Sequence, residues 1–257
     1  MAGSRPAMTR GTGGTRSAII TGGAKGIGLA IARRLAADGI AIALIGRDAA
    51  ALEKAAAELT ARYAVADVTD HAALRDAIAS LGPCDILVSN AGAAISKPFD
   101  RHTLADFQTM LAVNLLSAVT ACQAVLPDMR AKNFGRIVNI ASTAGLKGYA
   151  YTTAYVAAKH ALVGFTRALA LETVRDGITV NAVCPGFTDT DMVTRAVATI
   201  AAAGKRSQHE AREKLAAGNP AGRLVRPEEV AEAVAFLCRA DASAMTGQAI
   251  AVACGEV

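Results

Sequence analysis

The sequence predicts an α/β protein, one domain built on a doubly wound parallel sheet with helices on both faces. Three observations predict it. Short apolar runs alternate with longer segments of helical periodicity along the whole chain. Hairpin signals are scarce, so each strand must return by a crossover and pair parallel to its neighbours, and right-handed crossovers put helices on both faces. No Pro- or Ser-rich linker and no internal repeat divides the 257 residues, 53% of which are apolar, enough for one full core.

Residues 1–16 are rich in Gly, Thr and Arg without the apolar run of a signal peptide, and are read as a flexible N-terminal tail ahead of a domain spanning 17–257. The first strand is 18–20, and behind it comes Thr21-Gly22-Gly23-Ala24-Lys25-Gly26-Ile27-Gly28, opening an amphipathic helix over 27–37. Glycines let the backbone approach a pyrophosphate and turn free amides and a helix N-terminus toward its charge. The spacing is Gly-x3-Gly-x-Gly, and such a turn can also be purely structural. Its place in the first βα unit favours a dinucleotide and a Rossmann-like sheet, with Gly22, Lys25, Gly26, Ile27 and Gly28 as the cradle.

The second strand, 42–45, ends on Gly46-Arg47-Asp48. An acidic residue at that place would accept the ribose 2′-hydroxyl of NAD, whereas cationic Arg47 suits a 2′-phosphate. NADP is therefore expected, with NAD as the alternative and an ordinary exposed turn arginine as the bland reading of Arg47. A helix over 49–60 leads to a strand at 63–66, after which Asp67 and Val68 are expected at the adenine edge. A helix over 71–80 precedes the strand 86–88, and Asn90-Ala91-Gly92 should then lie against the cofactor.

A long helix is predicted over 104–131. Its stretch 107–127 carries no charge, but Gln108, Asn114, Ser117, Thr120 and Gln123 interrupt it, so a helix buried against protein is expected rather than a membrane span. The strand 137–140 ends near Ser142, and the next helix, 153–174, carries Tyr155 and Lys159. Positions i and i+4 share a helix face, so the ammonium of Lys159 should stand beside the phenol of Tyr155 and depress its pKa from about 10. Tyr155 would then donate and accept a proton near neutrality. A strand over 178–183, a helix over 227–239 and a strand over 248–252 complete the sheet.

Between them, 187–225 is long, rich in Ala and charge, and is read as a substrate lid, with a solvated helix pair as the alternative. Tyr149, Phe187 and Met192 flank the expected site as candidate substrate-pocket residues. The cations Lys205, Arg206, Arg212 and Lys214 could steer a phosphorylated substrate, a solvated face being the simpler reading.

Composition excludes other classes. A net charge of +5 with scattered basic residues, no Trp and 4% aromatics argues against nucleic acid. The five cysteines, Cys84, Cys122, Cys184, Cys238 and Cys254, form no CxxC pair, which points to a reducing, cytoplasmic setting. His71, His102, His160 and His209 lack ligand spacing, and no metal is expected.

The chain resembles the short-chain dehydrogenases/reductases over roughly 16–257, through TGGAKGIG at 21–28, NAG at 90–92, Asn114 within VNLL, Ser142, YVAAK at 155–159 and CPG at 184–186. The resemblance implies that Asn114 helps hold a proton-relay water, Ser142 positions the carbonyl oxygen, Tyr155 transfers the proton, and Lys159 also contacts the nicotinamide ribose. It further implies that Pro185, Gly186 and Thr188 lie along the nicotinamide, and that the protein is a homotetramer. Within the family the sequence is most similar to 3-oxoacyl thioester and polyketide ketoreductases, through GITVNAVCPGF at 177–187 and Thr246-Gly247-Gln248.

Two departures stand out. Asn133-Phe134 and Asp176 replace basic residues common in carrier-protein reductases, so CoA is preferred to a carrier protein, and Cys254-Gly255 replaces two glycines. The expected activity is NADP(H)-dependent interconversion of a ketone and a secondary alcohol, on a 3-oxoacyl thioester or similar carbonyl. The alternatives are an NAD-dependent secondary-alcohol or 3-hydroxyacyl-CoA dehydrogenase and a non-catalytic dinucleotide sensor.

Overall fold

The computed structural model describes residues 15–204 and 207–257. In chain order its elements are β1 (Ser17–Thr21), α1 (Gly26–Ala37), β2 (Ala41–Gly46), α2 (Ala49–Leu59), β3 (Arg62–Val65), α3 (His71–Leu81), β4 (Ile86–Ser89), α4 (Leu104–Leu111) and α5 (Ser117–Lys132). There follow β5 (Gly135–Ile140), α6 (Thr153–Thr173), β6 (Ile178–Pro185), α7 (Asp191–Gly204), α8 (Gln208–Ala216), α9 (Pro227–Leu237) and β7 (Ala249–Val252). All seven strands pair parallel in the order β3-β2-β1-β4-β5-β6-β7. The winding reverses between β1 and β4, the place where open α/β sheets form a ligand crevice at the carboxyl ends of their strands.

The central strands β4, β5 and β6 are buried along their whole length, which is why they read as mostly apolar runs without alternation, with Arg136, Asn139, Thr179 and Asn181 as buried polar exceptions. Each face of the sheet closes its own core. On one, Ile31 and Leu35 of α1, Leu52 of α2 and Val230 and Val234 of α9 pack on Ile20, Leu44 and Val138. On the other, Leu74 and Ile78 of α3, Val125 and Met129 of α5 and Leu169 of α6 pack on Ile19, Leu87 and Ile137. Side-chain caps set several helix starts: Asp48 accepts from the Ala51 amide, and Asp70 from those of Ala72 and Ala73.

Three features differ in detail from the sequence reading. The helix expected over 104–131 is α4 and α5 joined by a π turn, Ala112–Leu116, with Asn114 inside it. Taken together they are long and apolar enough to cross a membrane by length and composition, yet half of that stretch is buried inside the protein. The segment 187–225 carries α7 and α8, which close a small core of Val193, Val197, Ala201, Ala211 and Leu224, and its two ends are joined by a parallel bridge between Thr188 and Val225. Lys205 and Arg206 lie outside the described residues, as do residues 1–14. Arg16, assigned by sequence to the tail, gives its carbonyl to the Ala41 amide and lays its guanidinium 4.7 Å from the centre of the Phe134 ring.

Candidate active site

The turn after β1 is shaped by its neighbours. Gly22 sits at φ +64°, and a Cβ there would meet the side-chain amide nitrogen of Asn90 at 2.9 Å. A Cβ on Gly28 would come within 2.2 Å of the Gly22 carbonyl oxygen, so α1 approaches the turn at a distance only glycine permits. Lys25, at the N-cap of α1, makes no side-chain capping hydrogen bond to the first amides of that helix. This cradle, open to backbone approach and ending on a helix N-terminus, fits a pyrophosphate.

Asn90 does more than the sequence reading assigned it. Its Nδ2 donates to the carbonyls of Thr21 and Gly22 at 3.0 and 3.1 Å, while the amides of Asn90 and Ala91 donate to Thr21 Oγ1. The side chain thus braces the glycine turn from behind.

At the ribose end, the exposed guanidinium of Arg47 stands 3.3 Å from Asp67 Oδ2 and the ammonium of Lys25 2.7 Å from Asp48 Oδ2. Amide and hydroxyl hydrogen bonds from Thr69 hold the Asp67 carboxyl below its usual range, with Arg47 adding to them. Val68 is buried and packs in the core with Leu74.

The reacting groups meet at the carboxyl ends of β4 and β5. Asn114, buried in the π turn, donates to the carbonyls of Ala93 and Met110 at 2.9 and 3.1 Å, and its Oδ1 faces the Ala93 amide. Such single π turns re-aim one side chain within a helix. A Cβ on Gly92 would lie 2.8 Å from Asn114 Oδ1 and 3.6 Å from Lys159 Nζ, so glycine there lets the NAG loop, Asn114 and Lys159 come together. Lys159 is buried and donates to the Ile140 carbonyl at 2.8 Å. Ser142 starts the short turn Thr143–Gly145, its Oγ accepting from the Ala144 amide. Gly145 then rests against α6, where a Cβ would meet the Lys159 carbonyl at 2.8 Å.

Tyr155 is half-buried near Ser142, and Lys159 Nζ stands 5.7 Å from its ring centre. Lys159 does not depress the Tyr155 pKa, contrary to the i, i+4 expectation. Burial raises it, and Ser142 opposes part of the rise. Burial likewise lowers Lys159, to about 8, close to neutrality. The helical spacing correctly brings the two together, but it carries no information about how much water the folded site excludes.

Of the residues read as nicotinamide neighbours, Pro185 closes the buried strand β6, and Gly186 and Thr188 follow it, Thr188 Oγ1 donating to the Gly186 carbonyl at 3.0 Å. Thr190, which the sequence reading missed, reaches the glycine turn: a Cβ on Gly26 would stand 3.2 Å from its methyl. Tyr149 and Phe187 meet edge to face with ring centres 6.0 Å apart. Met192 is 46% exposed on the first turn of α7.

A Rossmann-like sheet carrying a dinucleotide cradle beside a Ser-Tyr-Lys group defines an oxidoreductase acting on CH–OH and C=O groups. Residues 16–201 match the short chain dehydrogenase family, and the chain belongs to it. It is 41% identical to a protein named as a ketoacyl reductase of the granaticin polyketide synthase of Streptomyces violaceoruber, over 96% of this chain and 94% of that one. It is 39% identical to a D-beta-hydroxybutyrate dehydrogenase of Cupriavidus necator, over 86% and 90%. A crystal structure of an actinorhodin polyketide ketoreductase with NADPH superposes with a TM-score of 0.91 at 37% identity, over 94% of this chain and 97% of that one.

Proposed function

We propose that the protein is an NADP(H)-dependent ketoreductase that interconverts a 3-oxoacyl thioester, or a carbonyl compound of similar size, and its secondary alcohol. The meeting of Asn114, Ser142, Tyr155 and Lys159 beside the glycine cradle carries this reading, because a dinucleotide sensor could use the cradle and Lys159 but has no need of Asn114, Ser142 and Tyr155 gathered with them. A nicotinamide held at the cradle would supply or take up the hydride. Ser142 and Tyr155 hold the carbonyl oxygen by hydrogen bonds, and Tyr155 Oη gives it a proton as negative charge develops there. A phenol raised by burial stays protonated at neutral pH and so is ready as the acid in the reducing direction. Lys159, its Nζ 5.7 Å from the Tyr155 ring centre, would hold positive charge beside the tyrosine and serve the nicotinamide ribose, and Asn114 would help hold a water for the proton's return.

Arg47 supports NADP over NAD, since it is exposed and its ion pair with Asp67 is readily exchanged for a 2′-phosphate. CoA is favoured over a carrier protein. Where a basic docking patch would stand, Asp176 accepts from Arg130 at 2.9 Å, and Phe134 lies between the guanidinium groups of Arg16 and Arg136. The segment 187–225 is proposed as a lid hinged at the bridge between Thr188 and Val225, and the assembly as a homotetramer.

The likeness to a hydroxybutyrate dehydrogenase supports a second reading, NAD-dependent oxidation of a 3-hydroxy acid. Purified protein assayed with NADPH and NADH against acetoacetyl-CoA, longer 3-oxoacyl-CoA and free 3-oxo acids separates the two. NADPH consumption with a thioester is expected. NADH-only turnover of free acids would replace this reading with the second, and cofactor binding without turnover of any carbonyl would favour the sensor.

A further inference from the structure

The penultimate residue, Glu256, turns back into the protein beside the proposed pocket. Its side chain is only 4% exposed, an unusual place for a carboxylate. The chain reaches it through Cys254 at φ +50° and Gly255 at φ +84°, two successive left-handed residues, the first of them not a glycine. A non-glycine residue in that region is strained, so the tail accepts a cost to bring Glu256 inward.

Two groups hold it there. Lys147 Nζ stands 3.2 Å from Glu256 Oε1 and donates to the Glu256 carbonyl at 3.0 Å. The hydroxyl of Tyr149 donates to the same Oε1. Tyr149 is further held by a 2.6 Å hydrogen bond with Thr143, by the Lys147 ammonium 5.2 Å from its ring centre, and by Phe187 edge-on. Thr143 directly follows Ser142, and Phe187 opens the segment that carries α7 and α8. Three separate stretches, the turn after β5, the start of the proposed lid and the C-terminal tail, therefore converge on one phenol. Glu256 Oε2 is buried without a hydrogen-bond partner among the described residues, facing Gly186, where a Cβ would come within 2.8 Å of it.

We propose that Glu256 is a positioning residue that locks Tyr149 as a fixed wall of the substrate pocket, so that the C-terminal tail limits the length of acyl chain the enzyme accepts. This rests on the ketoreductase reading above. The ion pair with Lys147 neutralises the carboxylate, and its hydrogen bond immobilises the phenol against Phe187. Without it Tyr149 regains rotamer freedom and the pocket lengthens.

Glu256→Ala, Glu256→Gln, Tyr149→Phe and the double variant E256A/Y149F test it. The kcat/KM ratio of a long to a short 3-oxoacyl-CoA is expected to rise about three- to tenfold in E256A, mostly through KM, the size of one released side chain. Isosteric E256Q, which still accepts from the phenol, should restore much of the ratio. The double variant should match Y149F, because Glu256 acts through that hydroxyl. An independent readout needs no substrate: burial and the bond to Glu256 both raise the Tyr149 pKa, so tyrosinate absorbance should appear at lower pH in E256A than in the wild type. An unchanged chain-length ratio in E256A, additive single effects, or an unmoved tyrosine titration would each overturn the proposal. A wild type that reduces no thioester would overturn the ketoreductase reading, with the titration still deciding whether Glu256 holds Tyr149.

Discussion

Asn90 offers a test of how the cofactor cradle is built, because its side chain acts on the backbone of the glycine turn. Asn90→Ala removes two hydrogen bonds, those to the Thr21 and Gly22 carbonyls. At about 1 kcal/mol each the loss is about 2 kcal/mol, or a melting temperature lower by about 4–8 °C for a domain of this size. If the whole of that loss must be recovered when the turn reforms around a pyrophosphate, NADPH binding weakens by at most about 30-fold. Asn90→Asp separates hydrogen bonding from packing. It keeps the shape but sets a carboxylate against two carbonyl oxygens, so at pH 7 it should be less stable than the alanine variant.

The sign of its pH dependence follows. A carboxyl facing two carbonyls has a raised pKa in the fold, so the folded state takes up a proton more readily and N90D regains stability as the pH falls. Thermal melts of the three proteins at pH 5 and 7, with calorimetric NADPH titrations, measure all of this. An aspartate variant at least as stable as the alanine variant at pH 7, or unchanged cofactor affinity in both, would refute the bracing role.

Tyr155→Phe should retain NADPH binding and lose turnover by about 10²–10⁴-fold, the range of a general acid, and near-normal turnover in steady-state assays would remove it from that role. Arg47→Ala should weaken NADPH by about 10- to 100-fold, the loss of one charge-assisted hydrogen bond, and leave NADH nearly unchanged; equal losses by titration would exclude a 2′-phosphate contact. Lys159, lowered from 10.5 to about 8 by burial, costs the fold about 3 kcal/mol below pH 8. Between pH 8 and 10.5 the unfolded chain binds the extra proton, so stability rises with pH through that window relative to Lys159→Met. Denaturant melts of the two proteins at pH 7 and 10 should differ by that margin, and a constant difference would mean that Lys159 is not so perturbed.

Much of the fold was legible because it rests on local patterns. The strands buried on both faces had to be apolar runs, and the absence of hairpin signals left parallel pairing as the way to join them. The glycine turn was readable for a similar reason: a backbone that must approach phosphate excludes a Cβ whatever surrounds it. Tyr155 and Lys159 were readable together because a helix puts i and i+4 on one face.

What the sequence did not carry was decided between segments distant in the chain. The direction of the Tyr155 pKa depends on the water excluded by the whole site, and burial raised it against the opposing effect of Ser142. Asn90 braces a turn 68 residues before it, and Asn114 takes its aim from a π turn that no periodicity in 104–131 announced. Glu256 had no local signal at all, because a carboxylate near a chain end is ordinarily solvated. Only tertiary packing, which brings it within reach of Lys147 and Tyr149, offsets the loss of that water. Sequence alone thus determined the repeating backbone units and the helical side-chain pair, where periodicity sets geometry. Tertiary structure decided protonation, bracing and the hold of Glu256 on Tyr149, because desolvation and hydrogen bonding there depend on groups that only folding brings together.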